Sequence, residues 1–490
     1  MFPIFFRTAS LIVLGSGIFA SPTVAQWPQW RGPNRDGFAP AGPLLASLPQ
    51  QGLTARWVVK DIQGGNSGGW GSPVIDDHRV FVFVHSKTRN DAVELGPPQY
   101  PYLAPEKRTM SDEEFEQYEI NRRIENEQRA RAFRFDQRML CLDLDTGKLL
   151  WEHTQDSAYT RFTHSGTPCV VGDHVLVLAP GRLACCWDKH SGKLLWSVTL
   201  PGEFRDEHFS SSFVSDGQTA VVACGPVFAL NLADGALLWQ GDANHDYASH
   251  ASPVLWQTIA GTAVIANTRG GKTVARRLSD GQLLWQLDSG TGQSSPVVID
   301  QQLLTFGSSR KSGLTAYRLN PTQWQETPVV DWRFQRAADQ GCTPAVAHGA
   351  VFVQGDRRLS KVDLQTGKAI WQELLPVSSP RYTSPIVVGD QVLFAWQGVV
   401  VVDAMASNFR LIYDAKMTAD GRLVEAQLLR KELDLTTTDG EGSDLAEAER
   451  IWQREAIRTS TLDCSTPAAA GGVVIFRLRD GLFCVDLHAG

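Results

Sequence analysis

Three histidines in this chain stand at one kind of place. His164, His208 and His250 each lie a few residues ahead of a small polar residue that opens an apolar run: T-P-C-V-V, S-F-V and S-P-V-L. Imidazoles near carboxylates such as Asp206, Glu207 and Asp246 can ligate a divalent metal or carry a proton near neutral pH. Equivalent places elsewhere hold Trp70, Gln293, Asp339, Gln340, Arg381, Tyr382 and Asp463. Trp70, His164, His208, His250, Gln293, Arg381 and Tyr382 form the candidate ligand-binding set. Such a rim suits a ligand, a metal of open identity, or nothing more than solvated loops. No residue is assigned a catalytic role. Two other motifs fail on context. Gly65 to Gly69 spells G-x-S-x-G, but a nucleophile elbow needs a strand before it and a helix after it, and here a strand follows. Arg269 to Thr273 ends like a phosphate loop, yet Ala266 replaces the first glycine and no helix follows.

The elements that must position these residues repeat. Cys141 to Trp151 reads C-L-D-L-D-T-G-K-L-L-W, and copies end at Trp196, Trp239, Trp285 and Trp371, with looser ones at Trp332 and Tyr413. Alternation before the turn is the period of a pleated strand, and the Gly of each turn permits the positive φ of a tight hairpin. The apolar run after it ends in a tryptophan, large enough to wedge neighbouring units together. Trp57, Trp151, Trp196, Trp239, Trp285, Trp332 and Trp371 are therefore read as structural docking residues. A second signature opens each unit: Ser72-Pro73, Thr167-Pro168, Ser252-Pro253, Ser295-Pro296, Thr343-Pro344, Ser384-Pro385 and Thr466-Pro467, with Phe213 replacing proline in S-S-F-V. Successive starts are 95, 45, 40, 43, 48, 41 and 82 residues apart. Most match the ~40–45 residues of a four-stranded propeller blade, and the two long intervals imply insertions.

The fold predicted is all-β: an eight-bladed β-propeller with Trp-docking repeats. The last unit, Cys484 to Gly490, reaches only its turn glycine, whereas Leu53 to Val59 supplies a strand with Trp57 ahead of the first start. The N-terminal strand is thus expected to complete the last blade and close the ring, which limits exposed edges. The expected organisation is a signal peptide over 1–25, an N-terminal strap over 26–52 packed on the propeller surface or serving as a docking peptide, and the propeller over 53–490, with insertions at 87–136 and 418–463. In the first insertion Ser111 and Glu114 form a capping box, and a helix should run to about Arg134, packed through Phe115, Tyr118 and Ile124. In the second, Ser443 to Ile457 reads as helical. The first is a loop between second and third strands and the second a link between blades, so these partly helical insertions should share one face, over one mouth of the channel.

Charge and cysteine usage narrow the function classes. The 490 residues carry a formal charge of −7 and no basic run, against nucleic acid. Arg7, the apolar stretch Leu11 to Ala20 and Thr23-Val24-Ala25 compose a secretory signal too short to span a bilayer. With no cysteine before Cys141 there is no residue for a lipid anchor, so the mature chain should be a periplasmic or secreted monomer without a transmembrane span. Cys141, Cys186 and Cys484 share one repeat position as small buried hydrophobes, and no C-x-x-C occurs.

The C-L-D-L-D-T-G-K-L-L-W repeat resembles the Trp-docking repeat of PQQ-like, quinoprotein-type propellers, and W-P-Q-W-R-G-P-N-R-D-G (27–37) is similar to exported repeat proteins of the planctomycete type. The resemblance points two ways. Eight-bladed quinoprotein dehydrogenases bind pyrroloquinoline quinone (PQQ) and Ca²⁺ at the channel mouth. BamB-like outer-membrane-assembly propellers bind protein partners and use no cofactor. No segment here matches the dehydrogenases' calcium-binding Glu/Asn/Asp set or catalytic Asp, so no cofactor is expected. The leading expectation is a non-enzymatic scaffold that binds a protein or envelope polymer on the insertion-bearing face. The alternative is a PQQ- and Ca²⁺-dependent oxidoreductase acting on alcohols or sugars. A third reading is a metal- or sugar-binding module using His164, His208 and His250.

Overall fold

The computed structural model describes residues 26–104, 107–160, 162–202, 209–243, 248, 250–377, 380–435 and 442–489. Among them, seven antiparallel sheets have four strands and one has seven, arranged as a β-propeller. Val254–Thr258, Gly261–Thr268, Lys272–Arg277 and Leu283–Asp288 form a typical meander, first strand innermost. The sequence predicts equivalent four-stranded units, and one departs from that. Its meander, Ile386–Val388, Gln391–Ala395, Val399–Asp403 and Leu411–Met417, gains Phe38–Ala39 in parallel on its inner edge and Arg422–Glu425 with Leu53–Thr54 on its outer edge. Those segments pair with edge groups that would otherwise be bare. The N-terminal stretch is accordingly split. Leu53–Thr54 extends this sheet, and Trp57–Lys60 pairs antiparallel with the strand Gly481–Asp486, Trp57 opposite Cys484.

The repeat tryptophans lock each sheet to the next. Trp57 Nε1 donates to Leu144 O at 2.8 Å, Trp151 to Lys189 O at 3.0 Å, Trp196 to Leu232 O at 2.9 Å, Trp239 to Leu278 O at 2.7 Å and Trp332 to Leu364 O at 2.9 Å. Each acceptor lies just before the turn glycine of the following repeat, and the indole lies flat on that glycine. A Cβ on Gly147 would stand 2.7 Å from the Trp57 ring. The turn needs glycine twice over, for its φ of +69° and for the space the indole fills. Trp371 packs instead edge-on against Phe409, centroids 5.4 Å apart, because the next turn carries no glycine.

The small polar residue before each proline builds a collar around the channel. Ser72 N–H donates to Thr167 Oγ1 (3.0 Å), Ser212 to Ser252 (2.9 Å), Ser252 to Ser295 (2.8 Å), Ser295 to Thr343 (3.0 Å) and Thr343 to Ser384 (2.9 Å). Thr466 N–H then donates to Ser72 Oγ at 2.9 Å, joining the last sheet to the first across the chain.

The segment after residue 26 is not a surface strap, as the sequence suggests, but a plug inside the channel. Trp27 pairs with Ile75, and Pro28 O accepts from Val170 N–H. Arg31 donates to Pro385 O (3.1 Å) and Pro344 O, and Arg35 to Pro253 O (2.9 Å) and Phe213 O. Asp36 O and Gly37 O accept from Val346 and Val387. Six innermost strands are reached by eleven residues, and only the channel axis lies within range of all six. Burial pushes Arg31 and Arg35 down to about 10, so both stay charged at neutral pH, their terminal N–H groups donating to carbonyl oxygens.

The first insertion is shorter than its sequence bounds. Strand Arg79–Arg89 continues past 87 and Phe133–Asp143 begins before 136, so the first excursion is 90–132. Its helix α1 (Asp112–Ala130) has the Ser111/Glu114 capping box but ends four residues before Arg134. Ile124 is half exposed, whereas Arg122 is buried against Glu119 at 2.6 Å; the charged pair faces inward where an apolar face is expected. The second insertion holds α2 (Ala426–Glu432), α3 (Gly442–Trp452) and a wider turn over Gln453–Ile457. Residues 63–69 bridge the strand that leads into the first insertion and the hairpin of the last sheet. Gly68 O and Ser67 O accept from His85 and Lys87 in the stalk of the first, Gly64 N–H donates to Arg479 O, and Leu462 at the end of the second donates to Arg477 O.

Candidate functional site

The links between sheets open onto a cavity of about 370 Å³ over the channel. The plug residue Trp30 is part of its lining, along with Trp70, Phe162 and Tyr382. Ser72, Thr167, Ser212, Ser252, Thr343 and Thr466 of the collar line it, as do His250, Gln293 and Cys464. Of the sequence-derived set, the fold therefore brings Trp70, His250, Gln293 and Tyr382 together. His250 Nδ1 lies 3.1 Å from Ser210 Oγ, and its ring stands edge-on to Tyr382 with centroids 6.3 Å apart. Burial, with Arg269 adding to it, lowers the His250 pKa and keeps the imidazole neutral. Tyr382 holds a positive φ of +58°, its N–H on Gln340 O at 2.9 Å.

His164 and Arg381 do not line the cavity. His164 is buried behind it, its backbone N–H on His85 Nδ1 at 3.1 Å and its ring edge-on to Phe83. Arg381 is exposed on the rim and meets Cys464 through its backbone carbonyl. His208 lies outside the described residues, as do Asp206, Glu207, His245, Asp246 and Tyr247. Among the described residues, no group of three or more His, Cys, Asp or Glu side chains could hold a metal. Asp339 serves the backbone instead, accepting from Gln293, Ser294, Gly341 and Cys342 N–H groups while burial raises its pKa. Gly65 and Gly69 pair in a closed turn, and Thr268 to Lys272 closes a hairpin, so neither lookalike motif forms an anion or nucleophile site.

Sequence reasoning missed Trp30, Phe162, Cys464 and the collar hydroxyls. The collar left a signal in the recurring Ser/Thr before proline, which served only as a spacing marker. Trp30 gave none, because its segment looks like loop until the channel encloses it. Beneath the collar on the blade-one side, Arg477 is fully buried and donates to Gly71, Phe83, Gln63 and Gly68 carbonyls; burial lowers it to about 9.

A family model described as outer membrane protein assembly factor BamB matches residues 136–332 and 323–490. The chain belongs to the BamB family. BamB of Moranella endobia (strain PCIT) is 27% identical over 240 residues, 47% of this chain and 51% of that protein. The chain thus spans about half the length of the curated relative it matches. Among solved structures, BamB from Moraxella catarrhalis is 13% identical with a TM-score of 0.45, covering 71% of this chain and 90% of that one. Quinohemoprotein alcohol dehydrogenase from Comamonas testosteroni aligns at a TM-score of 0.51 with 11% identity, covering 95% of this chain and 81% of that one, a likeness of fold. A quinone cofactor sets a chemical test for this BamB-family mouth. Calcium asks for hard oxygens, chiefly carboxylates, and a tricarboxylate quinone asks for cations. The described lining includes no Asp, Glu, Lys or Arg, so its donors do not fit that pair.

Proposed function

We propose that this BamB-family chain is an exported binding module without catalysis of its own. It takes a protein or an envelope polymer on the insertion-bearing face. The observation that carries this is the make-up of the mouth: aromatic rings and hydroxyls around one imidazole, His250, with no carboxylate, Lys or Arg among the described lining residues. The insertions are long connections, and loops are where rigid scaffolds place recognition. We read the ring as eight blades, counting the seven-stranded sheet as one, with Trp57–Lys60 completing the last. The Trp57–Cys484 register, the Trp57 bond to Leu144 and the Thr466–Ser72 link support that closure. In this reading residues 1–25 are cleaved on export and the mature chain works as a periplasmic or secreted monomer; no described helix is long and apolar enough to cross a membrane.

The test uses two chains as bait in envelope extract: residues 26–490, and the same chain with 92–130 and 434–455 replaced by short Gly-Ser loops that leave every flanking strand intact. Partners lost with the insertions support the reading, and an unchanged partner set refutes it. Tight, calcium-dependent binding of PQQ in calorimetric titration would overturn it in favour of an oxidoreductase.

A further inference from the structure

A second cavity, of about 170 Å³, lies where the second insertion packs on the propeller, and its lining shares no residue with that of the channel mouth. We propose that it takes the carboxylate of an Asp or Glu side chain from a protein partner; this rests on the binding-module reading and names the group that the second insertion captures. Several parts of the chain make the walls. The strand Leu411–Met417 supplies Asp414 and Lys416, α2 supplies Arg430, and α3 with its wider turn supplies Trp452 and Ile457. The turn Trp396-Gln397-Gly398 adds Trp396 and Gln397. The site therefore exists only when the insertion is docked.

Its polar walls present donors. Lys416 Nζ donates to Asp414 Oδ1 at 3.0 Å, and the Lys416 side chain is only 7% exposed. An ammonium has three N–H groups, so the pair leaves donors for a second acceptor. Gly398 makes room for this lysine: a Cβ there would stand 2.9 Å from Lys416 Cδ and 3.0 Å from Nζ. The Arg430 guanidinium lies over the Trp452 ring, 4.0 Å from its centroid. That contact restrains a planar fork of N–H groups whose geometry matches a carboxylate. Trp396 is 9% exposed, and its Nε1 is buried without a hydrogen-bond partner. A buried donor left unmade costs free energy until an acceptor reaches it. Gln397 holds a left-handed φ of +51°, a strain that clusters at binding sites. Pro376, Val377 and Ile457 set apolar surface beside these donors. A carboxylate on a methylene stem meets both, its oxygens on the cations and its stem on the apolar wall. A hydrated phosphate gains only the first. The volume falls below the roughly 300–1,000 Å³ of ligand pockets and suits a single side chain.

The experiment titrates residues 26–490 with N-acetylglutamate N-methylamide, against its glutamine counterpart, acetate and inorganic phosphate. Indole N–H signals of the ¹⁵N-tryptophan-labelled chain report binding. Trp396→Phe assigns the Trp396 signal, and it removes no hydrogen bond of the fold. The acid binds saturably and moves the Trp396 signal, and the glutamine counterpart binds about tenfold more weakly, the loss of one charge-assisted contact. Arg430→Gln weakens the acid about tenfold and Arg430→Lys less, as does removal of the buried pair together in Asp414→Asn/Lys416→Met. The comparison of acid with amide uses the wild type, so it decides the matter even where a variant is unstable. Three outcomes overturn the proposal: no saturable binding of the acid up to tens of millimolar, binding that leaves the Trp396 signal in place or survives Arg430→Gln intact, or amide, acetate or phosphate bound as tightly as the acid. If the acid does not bind while partners are still lost with the insertions, the cavity assignment falls alone. If the partner set is also unchanged, the binding-module reading falls with it.

Discussion

Gly147→Ala tests the docking of one sheet on the next and ring closure at once. The site carries two separable costs. Its φ of +69° is left-handed, which charges an alanine about 1–2 kcal/mol. The new Cβ would also stand 2.7 Å from the Trp57 ring, so the indole must move, and overpacking of that kind costs about 1–3 kcal/mol. The sum is about 2–5 kcal/mol. Gly349 is the matched control: its φ is +70°, and nothing lies within 4 Å of its Cβ. Gly349→Ala should therefore lose only the backbone share of about 1–2 kcal/mol. Urea unfolding of wild type, both single variants, Trp57→Ala and Trp57→Ala/Gly147→Ala gives the comparison. The Gly147→Ala penalty should shrink to the Gly349→Ala value once Trp57 is gone. Equal losses at the two glycines, or a Gly147→Ala penalty indifferent to Trp57, would refute the claim that an N-terminal tryptophan clamps the first repeat.

Three further outcomes follow from the same structure. His85 is fully buried, with Nδ1 accepting from His164 N–H and Nε2 3.2 Å from Ala158 O, and burial lowers its pKa from 6.5 to about 4. Its neutral form is favoured by folding, so its contribution is complete above pH 6.5 and disappears as pH falls toward 4. At about 1.36 kcal/mol per pH unit, the 2.5-unit gap is worth about 3 kcal/mol. His85→Asn, which keeps an acceptor near the Nδ1 position, should flatten the stability profile across that window in urea titrations at stepped pH; an unchanged slope would count against it. Arg31→Leu leaves Pro344 O and Pro385 O without their donor and should cost about 2–6 kcal/mol at about 1–3 per buried acceptor, with added protease sensitivity near residue 27; a loss within error would sink the plug assignment. All eight cysteines are free and seven are buried, and burial pushes the partly exposed Cys464 thiol up to about 12. Native-state alkylation should be slow and should reach Cys464 first by peptide mapping; rapid modification of Cys141 or Cys186 would contradict the packing.

The plug shows where reading by sequence stops. Trp-Pro-Gln-Trp-Arg-Gly-Pro has no hydrophobic period, so it reads as loop, and its arginines read as surface charge. Arg31 and Arg35 are instead buried, because the free carbonyls of innermost strands converge around the channel axis and supply acceptors that no sequence neighbour provides. The histidines mislead in the opposite way. His164 and His250 share a sequence context, yet one is packed behind the wall and the other lines the cavity.

What the sequence determined by itself was everything with a local period. Alternation, the turn glycine and the terminal tryptophan specify strand, hairpin and wedge within eleven residues, and repetition of that unit forces a propeller, since one blade cannot bury both its faces alone. The capping box at Ser111 belongs to the same class, its donor and acceptor being three residues apart. Only the tertiary structure decided which residues meet at the axis. The Thr466–Ser72 link spans 394 positions and the Arg31–Pro385 bond 354, and no pattern along the chain records such distances. Those contacts arise when the ring closes, and closure turns spacing markers into a collar and a loop-like leader into the floor of the cavity.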